Sequence, residues 1–432
     1  DWTFPFSGDG YLSGSESMLA RELRELLMDS TRIRLRSDVP VGAYLSGGLD
    51  SSVLVSLIHE ANEAELRSFS IGFEAAALDE TPFQRSMIDH VGADHSGITC
   101  TSADVARNFV DTVEHTEVPV LRTAPTPMKL LSGFVRDHGY KVVLTGEGAD
   151  EALGGYDLFK EAKVRRFWSR QPDSSWRPLL LQRLYPYLDL TSMRAQGYVR
   201  RFFGIGLDDP DSSLFAHLPR WETASMGKAF FSRRLVDEIT ESALDTMSES
   251  IPERASDWHP FNRGQYVEAK SLLPGYLLSS QGDRMLMANG VEGRFPFLDH
   301  RVIEFANRLD PRLKMKVLRE KYLLKRAMEG QLPPEILGRP KHPYRAPDIE
   351  AFFRDGVAAV PYVDELLSAE TVARYGYFDP KKVGLLKEKA RAGSAKGVKD
   401  NQAFVGILST QIWHYLFIDR FQTEFAGDLQ DR

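Results

Sequence analysis

One cysteine, Cys100, stands among 432 residues. Neither an internal disulfide nor a multi-cysteine zinc or iron-sulfur centre can therefore form within this chain. Long apolar runs are also scarce. The longest near the C-terminus, "AFVGILSTQIWHYLFI" at 403–418, is broken by Ser409, Thr410, Gln411 and His414, which suits a buried helix better than a membrane span. An excess of positive charge is missing too: 61 acidic against 54 basic side chains leave a formal charge of −7, with no field to gather nucleic acid or anionic membrane. No secretory signal pattern opens the chain, and with its single thiol a reducing, cytoplasmic location is expected. The pattern "GxxxxGK[ST]" is absent, which excludes a Walker-type γ-phosphate-cleaving NTPase. No histidine pair has metal-ligand spacing, and no serine-histidine-acid set is singled out.

What remains is an ordinary folded composition, 42% hydrophobic and 27% charged, long enough for two domains. Residues 15–30 carry leucines at helical spacing. "GAYL", "RSFSIGF", "DHSGITC" and "KVVLTGE" then read as parallel strands, with helical patterns at 51–63, 80–90, 102–115 and 127–138 between them and a fifth strand hard to place. Val- and Ile-rich strands alternating with helices predict a doubly wound α/β sheet of the Rossmann-like, adenine nucleotide hydrolase-like kind over residues 1–156. Residues 157–432 read as mostly helical. Within them 159–188 is basic on one helical face, a solvated or docking surface, and 389–401, small and polar, reads as a loop.

The chemistry concentrates at "VPVGAYLSGGLDSSVLVSLIHE", 39–60, where a strand ends at Leu45 and a helix begins near Asp50. Gly47 and Gly48 permit backbone angles closed to other residues and leave no side chain between ligand and backbone. N–H groups, a helix N-terminus and the hydroxyls of Ser46, Ser51 and Ser52 can then converge on one phosphate. Asp50 would repel that phosphate unless Mg2+ bridges the two, so the loop predicts a metal as well as a nucleotide.

"SGGLDSS" resembles the pyrophosphate loop of the ATP pyrophosphatases, which cleave ATP between the α- and β-phosphates and adenylate a carbonyl oxygen. Three further stretches are similar to the synthetase domain of glutamine-dependent asparagine synthetases: "VLTGEGADEALGGY" (143–156), "LRTAPTPM" (121–128), and "DRMLMANGVEGRFPFLDHRV" (283–302) followed by "REKYLLKRA" and "LPPEILGRPKHPY". The resemblance covers about residues 19–353. It implies ATP and Mg2+ as cofactors, an amide-forming ligation, and adenine contacts from the main chain at Leu45, Ile71, Thr145 and Gly146.

Asp150, just beyond the strand "VVLTG", can supply the second carboxylate for the metal held by Asp50, since parallel sheets place ligands at this edge. Glu147, within one turn of it, is near enough to take a proton from attacking ammonia; a helix-start carboxylate is its structural alternative. Lys321 can neutralise charge on departing pyrophosphate, and Arg122 can hold phosphate oxygens with a planar fork. For the acid substrate, Asp283, Arg284, Glu292 and Arg294 form a charged cluster that could meet an amino acid's two charged groups, or could instead anchor the helical region to the sheet. "RPKHPYRAP" keeps Lys341 of the pattern "RxKxxF" of ordinary asparagine synthetases and departs from it after that lysine, which counts against aspartate itself; the resemblance implies aspartate or a related acid.

Full-length members of that family begin with a glutaminase whose N-terminal cysteine releases ammonia. That part is absent from this chain, which starts at Asp1. The expected partners are a small carboxylic acid, ammonia, and a glutaminase domain or subunit, with a homodimer admissible. A β-lactam-synthetase-like ligase using another acid or amine is the rival reading, disfavoured because Glu147 stands where that family has tyrosine. A tRNA-modifying ATP pyrophosphatase would be expected to be basic with paired cysteines.

Overall fold

The computed structural model describes residues 2–6, 9–61, 66–75, 78–185 and 193–420. Its centre is a five-stranded sheet of order β3-β2-β1-β4-β5, built from β1 (Val41–Tyr44), β2 (Arg67–Phe73), β3 (Asp94–Cys100), β4 (Val142–Leu144) and β5 (Glu292–Arg294). Every pairing is parallel. The four strands read from sequence are present.

Alternation along β1 explains why both faces are covered. Val41, Ala43 and Leu45 pack into one core with α1 (Glu16–Leu35) and α2 (Leu49–Ala61). Tyr44 points the other way, toward α4 (Ser102–Thr116) and α5 (Pro125–Asp137). Between β2 and β3 runs α3 (Thr81–Val91). Successive side chains of a strand face opposite sides, so a strand apolar throughout needs helices on both. The chain winds outward from β1 through β2 to β3, then returns to lay β4 on the other flank of β1. This reversal opens a crevice at the C-terminal ends of β1 and β4.

The fifth strand comes from far along the chain, outside residues 1–156. Glu292 and Arg294 form it rather than a charged pocket: Val142 pairs with Glu292 and Leu144 with Arg294. The Arg294 guanidinium bonds Glu292 at 2.7 Å and donates to the carbonyls of Arg34 and Arg36 at 2.7 and 2.8 Å. These two carbonyls lie at the C-terminal end of α1, where helix carbonyls lack intrahelical partners. Arg294 thus fastens the sheet edge to a helix end.

The C-terminal apolar run is a buried helix, Val398–His414, whose Phe404, Leu408 and Ile412 are at most 1% exposed. Among the described residues no helix is long and apolar enough to cross a membrane. The loop expected at 389–401 is shorter than read. Helices end at Arg391 and restart at Val398, and a Lys389–Asp400 ion pair of 2.6 Å spans the gap. The basic stretch 159–188 overlaps the helix Asp157–Ser169, and its last residues, 186–188, lie outside the described residues. Its Arg165 is buried, donating to the carbonyls of Phe203, Ile205 and Phe215, so this positive charge serves the interior rather than a surface.

Replacing Arg294 with Met should lower unfolding stability by about 1–2 kcal/mol, the net worth of the hydrogen bonds lost to part-buried and exposed helix-end carbonyls, with turnover per folded molecule unchanged. Urea denaturation beside an activity assay checks this. Lost activity at full stability would return Arg294 to the substrate side.

Candidate active site

The turn between β1 and α2 is internally braced before any ligand arrives. The Ser46 N–H donates to Ser51 Oγ at 3.1 Å, the Gly48 N–H to Ser46 Oγ at 3.2 Å, and Ser51 Oγ to the Gly48 carbonyl at 3.2 Å. Gly47 has φ +79, and a Cβ there would sit 2.9 Å from Phe83 Cβ and 3.0 Å from the Gln84 nitrogen of α3. The loop's tightness and its closeness to α3 both require glycine. From the far side Arg339, stacked 3.9 Å over Phe83, donates to the Gly47 carbonyl at 3.0 Å and to Glu80 at 2.6 Å. By engaging the Gly47 carbonyl, Arg339 fixes the peptide at the centre of the turn.

Two carboxylates converge beside this loop. Asp50 stands in the first turn of α2, and Asp150 in the short helix Ala149–Leu153 that follows β4. Lys321 Nζ lies 2.5 Å from Asp50 Oδ1 and 2.5 Å from Asp150 Oδ1. Lys341 Nζ lies 2.5 Å from Asp150 Oδ2 and 3.7 Å from Asp50 Oδ2. The sequence placed Lys341 on the substrate side; it stands instead within the carboxylate pair. Two negative and two positive charges thus balance in one small volume.

Burial works against the Asp150 charge, and the two ammoniums outweigh it, holding its carboxyl down to about 2. Lys341 is held well above the usual lysine range: burial opposes its charge, and Asp150 and Asp50 overcome it. Behind them Glu151 is pushed up to about 8 by burial and by Asp150. It is protonated at neutral pH and adds no third charge.

Several features keep Lys321 in place. Its backbone has φ +48 and ψ +38, a left-handed conformation costing a non-glycine residue about 1–2 kcal/mol. Strain of this kind clusters at functional sites. Its neighbours Glu320 and Lys325 are buried and paired with each other at 3.1 Å, and Lys160 joins Glu320 at 2.9 Å. Gly155 leaves the space: a Cβ there would overlap Asp150 Oδ1 and Lys321 Cε.

The residues present fit a magnesium ion. Asp150 Oδ1 is buried and makes no hydrogen bond, only the ion pair with Lys321. Among the described residues no group of three or more His, Cys, Asp or Glu could hold a metal alone. Two carboxylates beside a phosphate loop are the donor set Mg2+ takes when the nucleotide supplies the remaining oxygens.

Glu147 is half-buried at the end of β4, and Thr145 Oγ1 donates to its Oε2. Burial pushes its carboxyl up to about 7, with Lys341 opposing and Asp50 and Asp150 adding. It can therefore exchange a proton near neutrality. Of the main-chain adenine contacts, the Leu45 N–H is taken by the Phe69 carbonyl and the Thr145 N–H by the Arg294 carbonyl, so neither is open to a base. Gly146 lets the end of β4 approach α2, since its Cβ would lie 3.0 Å from that of Asp50. Ile71 and Ser52 are buried at the same edge, Ser52 with an unpartnered hydroxyl.

Arg122 is exposed and is coupled electrostatically to Tyr276 and Asp348. Arg284 is bound to Glu117 at 2.6 Å and to Ser279 at 3.1 Å. Asp283 Oδ1 lies 3.6 Å from where Gly293 would carry a Cβ. The four charges read as one cluster therefore divide: Glu292 and Arg294 form β5 with Asp283 beside it, while Arg284 turns to Glu117 at the C-terminal end of α4. Arg339 and Gly155 were missed in the sequence, although both sit in stretches whose neighbours were singled out.

A switch-point crevice with a glycine-rich turn and two convergent carboxylates is an arrangement suited to a nucleotide's phosphates. The comparisons narrow it: the profile of the asparagine synthase family matches residues 22–415, and the chain belongs to that family. It is 30% identical over 397 residues to "Amidase chyE" of Penicillium rubens, covering 84% of this chain and 57% of that protein. It is likewise 30% identical to "Asparagine synthetase [glutamine-hydrolyzing] 1" of Bacillus subtilis, over 77% of this chain and 50% of that one. "Asparagine synthetase B [glutamine-hydrolyzing]" of Escherichia coli is 36% identical over 157 residues, 33% of this chain and 28% of that protein. The chain spans about half the length of the first two.

Gly155→Ala should reduce ATP-dependent turnover at least 100-fold with the circular dichroism spectrum unchanged, because the added methyl displaces both ion-pair partners. Retained activity would mean that the Lys321–Asp150 contact is dispensable.

Proposed function

We propose that this chain is an ATP-dependent amide-forming ligase. It joins AMP to a carboxylate with release of pyrophosphate, and ammonia then displaces AMP. The observation that carries the proposal is the convergence of Asp50, Asp150, Lys321 and Lys341 beside the 46–48 turn.

Asp50 and Asp150 would hold Mg2+, which when bound neutralises phosphate charge and orients the pyrophosphate to leave. The 46–48 turn and the hydroxyls of Ser46, Ser51 and Ser52 bind phosphate oxygens. Lys321 and Lys341, released from the carboxylates, stabilise the negative charge that grows on the departing pyrophosphate. Arg122, exposed in the 121–124 turn, has a planar fork that suits phosphate oxygens. Glu147 accepts the proton shed as ammonia adds to the acyl carbon.

Ammonia from a glutaminase domain or subunit fits the glutamine-hydrolysing relatives. The relatives include a protein called an amidase as well as asparagine synthetases, so family membership leaves the acid open.

Two variants separate the steps. Asp50→Ala should lower acid-dependent ATP–pyrophosphate exchange at least 100-fold without unfolding the chain, and normal exchange would remove the metal-bridging role. Glu147→Gln should slow amide formation more than exchange, whereas equal losses would remove it as base. The pH profile gives the sign. A base works deprotonated, so amide formation at fixed free ammonia should rise with pH and level off above about 7, and the rise should vanish in Glu147→Gln.

A further inference from the structure

Lys314 is a buried lysine with no part in the reaction proposed above. It closes the short helix Pro311–Lys314 and is only 1% exposed. Its Nζ donates at 2.8 Å to Gln265 Oε1, and the ring centres of Phe4 and Phe261 lie 5.2 and 6.0 Å from the same nitrogen. The neighbouring Asp310 carboxylate is bound by Arg312 at 2.6 Å. Burial draws the Lys314 amine down to about 7, with Asp310 opposing; charged or neutral, the amine can donate to an amide oxygen. Lysines are rarely buried this far without a carboxylate beside them, because desolvation disfavours the charge.

Gln265 carries the contact onward. It is fully buried in the helix Pro260–Leu272, and its Nε2 donates to the carbonyls of Glu151 at 2.7 Å and Ala152 at 2.9 Å. Both carbonyls belong to the five-residue helix Ala149–Leu153 that carries Asp150. A helix this short is poorly stable by itself, and its last carbonyls have no partners within it. Backbone carbonyls only accept, so the amide presents Nε2 to the helix and leaves Oε1 toward Lys314. The lysine meets that oxygen with a donor and so locks the amide in the orientation the helix requires. Phe261, against which Lys314 lies, also closes on the turn after this helix: a Cβ on Gly154 would sit 2.3 Å from Phe261 Cζ.

We propose that Lys314 and Gln265 are positioning residues that hold the helix Ala149–Leu153, and with it the Asp150 carboxylate, where Mg2+ would be bound. This rests on the metal-holding role given to Asp150 above, and it assigns the support of that carboxylate to two residues outside the charged cluster.

Deuterium uptake by the ligand-free protein tests the support without any turnover. The Ala152 N–H bonds the Gly148 carbonyl and the Gly155 N–H the Asp150 carbonyl, each at 2.9 Å, so these amides report on the helix. In Lys314→Met and in Gln265→Leu, which keep apolar bulk at both places, the amides of residues 148–155 should exchange about fivefold faster or more, while β1 and β4 exchange as before. In ATP–pyrophosphate exchange the half-saturating Mg2+ concentration should rise about 3- to 10-fold in each variant, the net worth of one hydrogen bond, with the KM for the acid unchanged. Because the lysine acts through the glutamine, the double variant should lose no more than Gln265→Leu alone. Unchanged uptake at 148–155, faster uptake spread evenly over the chain, an unchanged Mg2+ requirement, or additive losses in the double variant overturn the positioning role. Absence of exchange with any acid in the unaltered chain would overturn adenylation, and the uptake measurement would still decide whether Lys314 and Gln265 hold the helix.

Discussion

The structure depends on two like charges being held together. Asp50 and Asp150 approach the same point from the ends of adjacent strands, and such a pair is unfavourable unless positive charge stands between them. Lys321 and Lys341 provide it, each within 2.5 Å of at least one carboxylate. A balanced cluster of this kind has the charges that the proposed dication and polyphosphate would need. On the proposed reading Asp50 and Asp150 would hold the cation and Lys321 and Lys341 would face the phosphates, so total charge would be redistributed rather than created in a poorly solvated place.

Much of the remaining architecture brings those four side chains into register. The reversal at β1 sets the two strand ends side by side. Glycine at 146 lets β4 close on α2, and glycine at 155 makes room for the ion pair. The left-handed Lys321 is backed by the buried Lys160–Glu320–Lys325 set. Lys325 also donates to the Arg339 carbonyl at 3.3 Å, so the segment carrying Lys321 is tied to the segment carrying Arg339 and Lys341. Residues distant in sequence therefore hold one geometry.

Most of the nucleotide half was legible from local pattern. Strand period, glycine placement and a carboxylate beside a phosphate loop are short-range signals, and they suffice for β1 to β4, α1, α2 and the 46–48 turn. The features that stayed hidden depend on long-range pairing. Three residues, 292–294, are too short to announce a strand, and their two charges drew attention to ligand chemistry when the partners were helix-end carbonyls. Lys341 shows the same limit: a lysine carries no sign in its own neighbourhood of which carboxylate it will meet.

The central claim is that the cluster grips the outer phosphates, so that ATP breaks next to AMP. The direct measurement is the nucleotide product formed when this chain turns over ATP with an accepted acid and ammonia, resolved by chromatography. AMP and pyrophosphate, equal to each other and to amide formed, are the predicted result. ADP with orthophosphate would contradict the account.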